Sequence, residues 1–174
     1  MVEQGTNDQG LLQPDNDFWR FSLRIYDQRG VANECLELQD LHGVNVNLLL
    51  FCAWIGTQAI ILNRSDIEAA TQIVAHWDAM VVRPLRNARQ EMKAGPDMAT
   101  VRARVKAMEI EAEQIEQAML FAHAARRIGN SAADADREDA IAYNVGQCIA
   151  VATNAPLSNA AAPRLIEAAR REKS

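Results

Sequence analysis

The sequence has few aromatic residues, few glycines and prolines, and no long uninterrupted apolar run. Phe, Trp and Tyr make up 5% of the 174 residues, while Gly and Pro number 8 and 5. Strands favour aromatic and β-branched residues, whereas Ala, Leu, Glu, Gln, Arg and Met are good helix formers. The shortage of the first group and the abundance of alanine therefore favour an all-α fold.

The chain also lacks an excess of basic residues and the usual motifs of metal, phosphate or redox chemistry. Its net charge is −5, so we expect no nucleic-acid partner. No CxxC pair or glycine-rich phosphate loop is present, and no histidine follows a glutamate by three residues. Cys35, Cys52 and Cys148 lie in apolar, helix-like segments and are predicted to be buried thiols. We expect no metal and no cofactor, and we assign no catalytic residue.

The most apolar stretch is LQDLHGVNVNLLLFCAWIG, residues 38–56. A membrane span needs about 20 apolar residues, and the run from Leu48 to Ile55 is much shorter. We therefore predict a central buried helix and no membrane partner. The first residues have neither a basic segment nor an apolar segment of a secretory signal, so we expect a cytoplasmic protein.

Hydrophobic periodicity predicts one bundle of six or seven helices over residues 14–154. A flexible polar lead over 1–13 precedes it, and a linker with a short, loosely held charged helix follows over 155–174. The predicted helices cover about 17–29, 31–42, 44–62, 66–93, 98–127, 138–154 and 164–173. Gly30 and Gly43 are predicted to end the first two helices, and Ser65 or Asp66 to cap the fourth.

The two longest predicted helices, 66–93 and 98–127, are joined by Gly95-Pro96-Asp97 and are expected to form a long antiparallel hairpin. A heptad-like seam runs along the second of them. It consists of Val101, Val105, Met108, Ala112, Ile115, Met119 and Ala122. Pro84 is expected to kink or break the first of them, since it removes a helical hydrogen bond.

Charged side chains face each other across this predicted hairpin. Arg83, Arg86, Arg89 and Lys93 share one helix face, and Lys106, Glu109, Glu113 and Glu116 share a face of the returning helix. Antiparallel register is expected to bring Arg83 or Arg86 to Glu109, and Glu113 to residues 78–80. These residues form either interhelical salt bridges or an anion site built by Arg86 and Arg89, whose forked donors suit phosphate and carboxylate.

Polar residues cluster where the apolar stretch begins. Gln39, Asp40, Asn45 and Asn47 lie on both sides of Gly43. They either cap two helix ends or form the polar mouth of an apolar pocket lined by Leu49, Phe51 and Trp54. Asn47 follows the cap position, so its amide needs a partner if it is buried.

Four segments resemble a small proteobacterial family of uncharacterised helical proteins, known as a domain of unknown function. They are FWRFSLRIYDQRGV, CLELQDLHGVNVNLLLFCAW, HWDAMVVRPLRNARQEMK and VRARVKAMEIEAE. Within them, LQDxxGxxVNxLL and PLRxxR are the distinctive motifs. The resemblance implies a cytosolic all-helical domain and no particular activity. By analogy it directs attention to Gln39, Asp40, Asn47, Arg86, Arg89, Lys106, Glu109 and Glu113.

The function predicted from the sequence is that of a non-enzymatic binding or adaptor protein. Its candidate partners are a small anionic ligand held by Arg86 and Arg89, another protein bound at an apolar face, or a second copy of the chain packed on the long seam. The alternative is an enzyme acting on an apolar or isoprenoid-like substrate in a helical pocket. That alternative lacks the paired Asp-rich metal motifs of prenyl chemistry, since DADRED at 134–139 occurs once.

Overall fold

The computed structural model describes residues 12–92, 96–127, 136–158 and 161–172, and the regular elements in these ranges are all helical. Eight α-helical segments form seven separate helices, because two segments are joined end to end. The predicted all-α fold class is confirmed. Most of the lead predicted over 1–13 lies outside the described residues.

The first two helices begin and end at short-range signals. Helix α1 (Asp17–Tyr26) begins after Asn16, whose side chain accepts a hydrogen bond from a backbone N–H of the first turn. Helix α2 (Val31–His42) lies between Gly30 and Gly43, at φ values of +83° and +67°. Gly43 ends α2 as predicted. Gly30, however, begins α2 rather than ending α1.

Helix α3 (Val46–Thr57) is the central buried helix, as predicted. Its buried residues are Asn47, Leu48, Leu49, Leu50, Phe51, Cys52, Ala53, Ile55 and Gly56. The helix ends at Thr57 rather than near Leu62. It ends early because the side chain of Asn144, on a later helix, bonds the chain beyond it: its amide oxygen accepts from the Leu62 N–H at 2.8 Å, and its amide nitrogen donates to the Ile60 carbonyl at 2.8 Å.

A long continuous helix follows, composed of α4 (Arg64–Trp77), a π-helical segment (Asp78–Val82) and α5 (Arg83–Glu91). Asn63 is its cap, and Asp66 completes a capping box, which corrects the predicted cap at Ser65 or Asp66. Pro84 does not break the helix. The wider π-helical turn before it, closed by a hydrogen bond from the Arg83 N–H to the Asp78 carbonyl, accommodates its ring and its missing N–H.

Helix α6 (Ala99–Arg127) follows a short 3-10 segment (Pro96–Met98) and contacts both α4 and α5. Its predicted apolar seam is wrong in the first half of the helix, where Val101 is 45% and Met108 55% exposed. The buried face of α6 includes polar side chains instead, Glu109 in the first half and Glu116 and Gln117 just beyond the middle. Heptad spacing missed this face because the polar residues obtain their partners from α3 and α5.

The last two helices complete the core. Helix α7 (Arg137–Thr153) packs closely on α3, where a Cβ added at Gly56 would lie 2.5 Å from the Ile141 Cα. Its buried residues include Ile141, Val145, Cys148 and Ile149, whereas Ala152 is exposed. Helix α8 (Pro163–Arg171) is not a loose charged tail, since Leu165 and three other residues of it are buried.

The buried residues of these helices form one contiguous hydrophobic core. The three cysteines, Cys35, Cys52 and Cys148, are free thiols inside it, as predicted. Burial, with a smaller contribution from Glu34, raises the pKa of Cys35 to about 12, so that thiol stays protonated at neutral pH.

Replacing Asn144 with Ala is expected to lower the free energy of unfolding by on the order of 2–4 kcal/mol, since the buried Leu62 N–H and the partly buried Ile60 carbonyl both lose their partner. The matched control is Asn87→Ala, at an exposed position of α5, which should change it by less than about 0.5 kcal/mol. Urea unfolding followed by circular dichroism measures both. Equal effects of the two substitutions would contradict the bridging role of Asn144.

Candidate functional site

A groove of about 450 Å³ opens between α1, α2, α3, α5 and α6. We call it the central groove. Its apolar wall comprises Trp19, Leu23, Tyr26, Leu36, Val46 and Leu50. Charged and amide side chains from α2, α5 and α6 complete the lining. Ligand sites combine an apolar surface with a few polar groups in this way, so the groove is the candidate site.

Six of the nine residues predicted as a site line this groove. They are Gln39, Arg86, Arg89, Lys106, Glu109 and Glu113. The tertiary structure thus brings the arginine and glutamate rows together with the amide of α2. Both alternatives for the charged residues, salt bridges and ligand contact, therefore concern the same surface.

The other three predicted residues lie elsewhere. Asp40 is exposed on α2 and is not part of the lining, and Asn47 is buried within the protein. Trp54 faces a second cavity, between α1 and the ends of α3 and α8, where it stacks on Phe18 at a ring-centroid distance of 5.3 Å. Trp54 of α3 and Arg86 of α5 thus line different cavities.

The two groove arginines form a compact ionic network with α6. The Arg86 Nε–H donates to Glu109 Oε1 at 3.2 Å, and its Nη2 donates to Glu113 Oε1 at 2.7 Å. The Arg89 Nη2 donates to Glu109 Oε1 at 3.1 Å, and its Nε–H donates to Glu109 Oε2. Glu113 thus pairs with Arg86, whereas the predicted neighbours of Glu113 were residues 78–80.

The salt bridges do not use all the donors of these arginines. A guanidinium has five N–H donors, and the bonds above occupy one N–H on each of two nitrogens of Arg86 and of Arg89. Burial raises the pKa of Glu113, and the bond and charge of Arg86 oppose that shift. The network is therefore a pre-positioned set of donors on a partly desolvated surface.

Lys106 differs from the arginines of the groove. It is exposed, and within the described ranges it has no ion-pair partner. The lining contains Arg86, Arg89 and Lys106 against Glu109 and Glu113. Three cationic and two anionic side chains leave one positive charge, and Lys106 is the group that carries it.

A second polar network lies directly behind the groove, and sequence reasoning found only part of it. The Glu116 carboxylate accepts hydrogen bonds from Asn45 Nδ2 at 2.7 Å and from Asn47 Nδ2 at 2.8 Å. The Asn47 Oδ1 accepts from Gln117 Nε2 at 2.8 Å. The expectation that a buried Asn47 needs a partner is confirmed. That requirement could have indicated Glu116 as a partner from the sequence. Nothing in the sequence indicated Gln117.

Two buried polar atoms at the groove have no hydrogen-bond partner in the described protein. They are the Ser22 Oγ and the Gln117 Oε1, and both residues line the groove. Ser22 is 3% exposed and Gln117 is 2% exposed. Buried polar atoms are normally satisfied, so each is a candidate contact for a bound molecule.

Glu116 is buried, and among the described residues it forms no ion pair with a cationic side chain. Burial raises its pKa to about 7, opposed by the hydrogen bonds from Asn45 and Asn47 and reinforced by the charges of Asp78 and Glu113. A carboxyl group with this pKa exchanges its proton near neutral pH.

Two further features of the structure bear on function. The described residues contain no group of three or more His, Cys, Asp or Glu side chains placed to hold a metal ion. Among the same residues, no helix combines the length and the hydropathy required to cross a bilayer.

A protein-family model described as "Protein of unknown function (DUF2390)" matches residues 17–120. No curated protein and no solved structure matches the chain. The matched range covers α1 to α5 and most of α6, and it includes the whole lining of the central groove. Helices α7 and α8 lie beyond it.

The buried carboxyl of Glu116 makes stability depend on pH in a defined direction. Its pKa is about 7 in the folded protein against 4.5 as the ordinary value, so the unfolded chain binds fewer protons between these values. The free energy of unfolding should therefore fall as pH rises through this window. Over this window, the ionisation of Glu116 should lower the free energy of unfolding by about 3 kcal/mol.

Glu116→Gln should remove that part of the slope and should exceed the wild type in stability above about pH 7. Glu111→Gln, at an exposed position of the same helix, is the matched control and should keep the wild-type slope. Urea unfolding at a series of pH values measures all three proteins. An unchanged slope in Glu116→Gln would rule out proton binding by Glu116 in this range.

Proposed function

The chain belongs to the family described as Protein of unknown function (DUF2390), as its resemblance predicted, and we propose that it is a non-enzymatic binding protein for a small amphipathic anion. The ligand class is an alkyl or aryl body that carries one carboxylate, sulfonate or phosphate group. The central groove is the proposed site. The observation that carries the proposal is the position of Lys106 beside the apolar wall of the groove. Among the described residues Lys106 has no ion-pair partner, whereas the other charged side chains of the groove neutralise one another.

The charges of the groove favour an anion. Arg86 and Arg89 are held by Glu109 and Glu113, which fixes the guanidinium planes and leaves N–H donors for a ligand. Lys106 adds the uncompensated positive charge. An anionic head group there would gain charge-assisted hydrogen bonds without displacing the existing salt bridges.

The shape and lining of the groove favour an apolar body on the ligand. The volume of about 450 Å³ falls within the usual range for small-molecule sites. Leu23, Leu36 and Ile110 are exposed on its surface although they are large and apolar. Covering them with a hydrocarbon chain would remove apolar area from water, at about 25 cal/mol for each Å².

Binding is placed ahead of catalysis for a reason of geometry. Glu109 and Glu113 are the carboxylates of the groove, and both are engaged by arginines. Every carboxylate in the described lining therefore already has an arginine partner. The alternative, an enzyme for an apolar substrate, has no comparable support in the groove.

A second candidate function, self-association, is favoured by one separate observation. Three large apolar side chains are exposed just before α6 and in its first half. They are Met98, Val101 and Met108. Exposed apolar residues that recur along one segment favour an interaction site there. A homodimer through this surface is compatible with ligand binding, because these residues are not part of the groove lining.

Octane-1-sulfonate is a suitable probe for the groove, since it has one permanent negative charge and a short apolar chain. We expect the protein to bind it, and Lys106→Gln to weaken binding about three- to tenfold through loss of one charge interaction. Arg104→Gln removes one charge from an exposed position of the same helix outside the lining, and should leave affinity unchanged. Isothermal titration calorimetry measures the three affinities.

Octan-1-ol and octylammonium provide the matched ligands for this experiment. Octanol should bind more weakly than the sulfonate, and octylammonium should bind most weakly, because Lys106 repels it. Equal affinities for all three would show that the groove binds through its apolar surface alone and has no preference for anions. No binding of the sulfonate by the wild type would overturn the proposed function.

Self-association is tested by sedimentation velocity at several concentrations of the full chain. A dimer on the α6 surface should dissociate when Val101 and Met108 are both replaced by Ser, since its apolar contact area is lost. Leu41→Ser changes an exposed leucine on α2 and is the control that should not affect it. A monomer at all concentrations would dismiss this candidate.

A further inference from the structure

Two hydrogen-bonded amide side chains connect the buried carboxyl of Glu116 to the central groove. Glu116 Oε2 accepts from Asn47 Nδ2 at 2.8 Å, and Asn47 Oδ1 accepts from Gln117 Nε2 at 2.8 Å. Gln117 lines the groove, and the end of its amide that is not bonded to Asn47 is Oε1, which has no partner. We call Glu116, Asn47 and Gln117 the amide relay.

The direction of every bond in the relay follows from the charge on Glu116. An ionised carboxylate has no proton to donate, so both asparagines must present their NH₂ groups to it. Asn47 then presents its oxygen to Gln117, and Gln117 presents its NH₂ to Asn47. The amide oxygen of Gln117 is consequently left on the other side, where it meets no donor from the protein.

Of the two asparagines that bind Glu116, only Asn47 is free to turn over. The Asn45 Oδ1 accepts the Leu48 N–H at 3.0 Å and so caps α3. Turning Asn45 over would forfeit that cap, which is worth about 1 kcal/mol. The amide of Asn47 has both of its bonds inside the relay. A proton on Glu116 is therefore accommodated on Oε2, next to Asn47.

Protonation reverses the relay. A proton taken from water onto Glu116 Oε2 makes that oxygen a donor, so Asn47 turns its oxygen toward Glu116 and its NH₂ toward Gln117. Gln117 in turn presents its oxygen to Asn47 and its NH₂ to the groove. No bond of the relay is lost, and the group offered to the groove changes from an acceptor to a donor.

We propose that Gln117 is a ligand-reading residue of the central groove, and that binding of an anionic ligand there is coupled, through this relay, to proton uptake by Glu116. The inference rests on the proposed function, since it concerns the same groove and the same class of ligand. An anion is repelled by the amide oxygen of Gln117 and attracted by its NH₂. By linkage, the ligand and the proton then strengthen each other's binding by the same factor.

The charged groups around Glu116 set the pH range of this coupling. Asp78 faces it from the π-helical segment and Glu113 from its own helix, and both negative charges favour its protonated form. Each is compensated, Asp78 by Arg83 at 2.9 Å and Glu113 by Arg86 of α5 at 2.7 Å. Helix α3 contributes the uncharged Asn45 and Asn47. Burial, the largest effect, raises the pKa of Glu116 to about 7, which places the switch near neutral pH.

The experiment measures octane-1-sulfonate binding from about pH 6 to about pH 9, where the charge of this probe is constant and most of the titration of Glu116 occurs. Affinity of the wild type should fall about tenfold across this range, the effect of about one charged hydrogen bond. Calorimetry in two buffers of different ionisation enthalpy should also show proton uptake. For tenfold coupling it reaches at most about half a proton per ligand.

Glu116→Gln should hold the relay in its reversed form. The amide of the new side chain accepts from Asn45 and donates to Asn47, as the protonated carboxyl does. This variant should bind the sulfonate at every pH as the wild type does at low pH, with no proton uptake. Gln117→Met removes the amide and should bind more weakly than the wild type at low pH, again without pH dependence.

Two controls separate the relay from simple contact with the groove. Ser22→Ala removes the other unpartnered groove atom, whose hydroxyl can donate or accept in either state, so it should weaken binding equally at all pH values. Glu111→Gln, exposed on α6, should leave both affinity and proton uptake unchanged.

The outcomes distinguish the two proposals. If Glu116→Gln bound the sulfonate with the same pH dependence and proton uptake as the wild type, the relay would be overturned and the binding function would still stand. Wild-type binding that is independent of pH would do the same. No binding of the sulfonate at any pH would overturn the proposed function, and this inference with it.

Discussion

The fold depends on covering α3 on every side. Nine of its 12 residues are buried, so no face of this helix is left for water. Helices α1, α2, α4, α6, α7 and α8 all contact it. The closest contact is with α7, where Gly56 allows the two backbones to approach each other. The hydrophobic effect, which scales with apolar area removed from water, therefore sets the arrangement of the bundle around one central helix.

Burying α3 also buries the polar residues at its start, and these determine how α6 lies against it. Asn45 and Asn47 cannot lose water without new partners, and α6 supplies Glu116 and Gln117 at consecutive positions. A carboxylate held by two amides and no cation is a costly arrangement, as its raised pKa shows. Stability alone would be served better by apolar residues, so this cluster is the part of the core for which a functional explanation is most needed.

The central groove shows how a surface can attract an anion while most of its charges cancel. Its arginines and glutamates are paired with each other, which holds the guanidinium groups in fixed orientations. Lys106 and the relay amide of Gln117 are then the groups left to interact with the charge of a ligand. All of the lining falls within the range matched by the family model, whereas α7 and α8, which also contact α3, lie outside it.

What the sequence determined by itself is the local structure: the helical class, most helix positions, and the burial of α3 and the three thiols. Of the nine site residues predicted from it, six line the groove. Composition, periodicity and capping act over a few residues, which is why they could be read directly. It misplaced the seam of α6, the effect of Pro84 and the position of Trp54. Those depend on which side chains from distant segments meet. Only the tertiary structure placed Glu116 beneath Asn45 and Asn47 and left one end of the Gln117 amide unpartnered, because a buried polar group is defined by partners about 70 residues away along the chain.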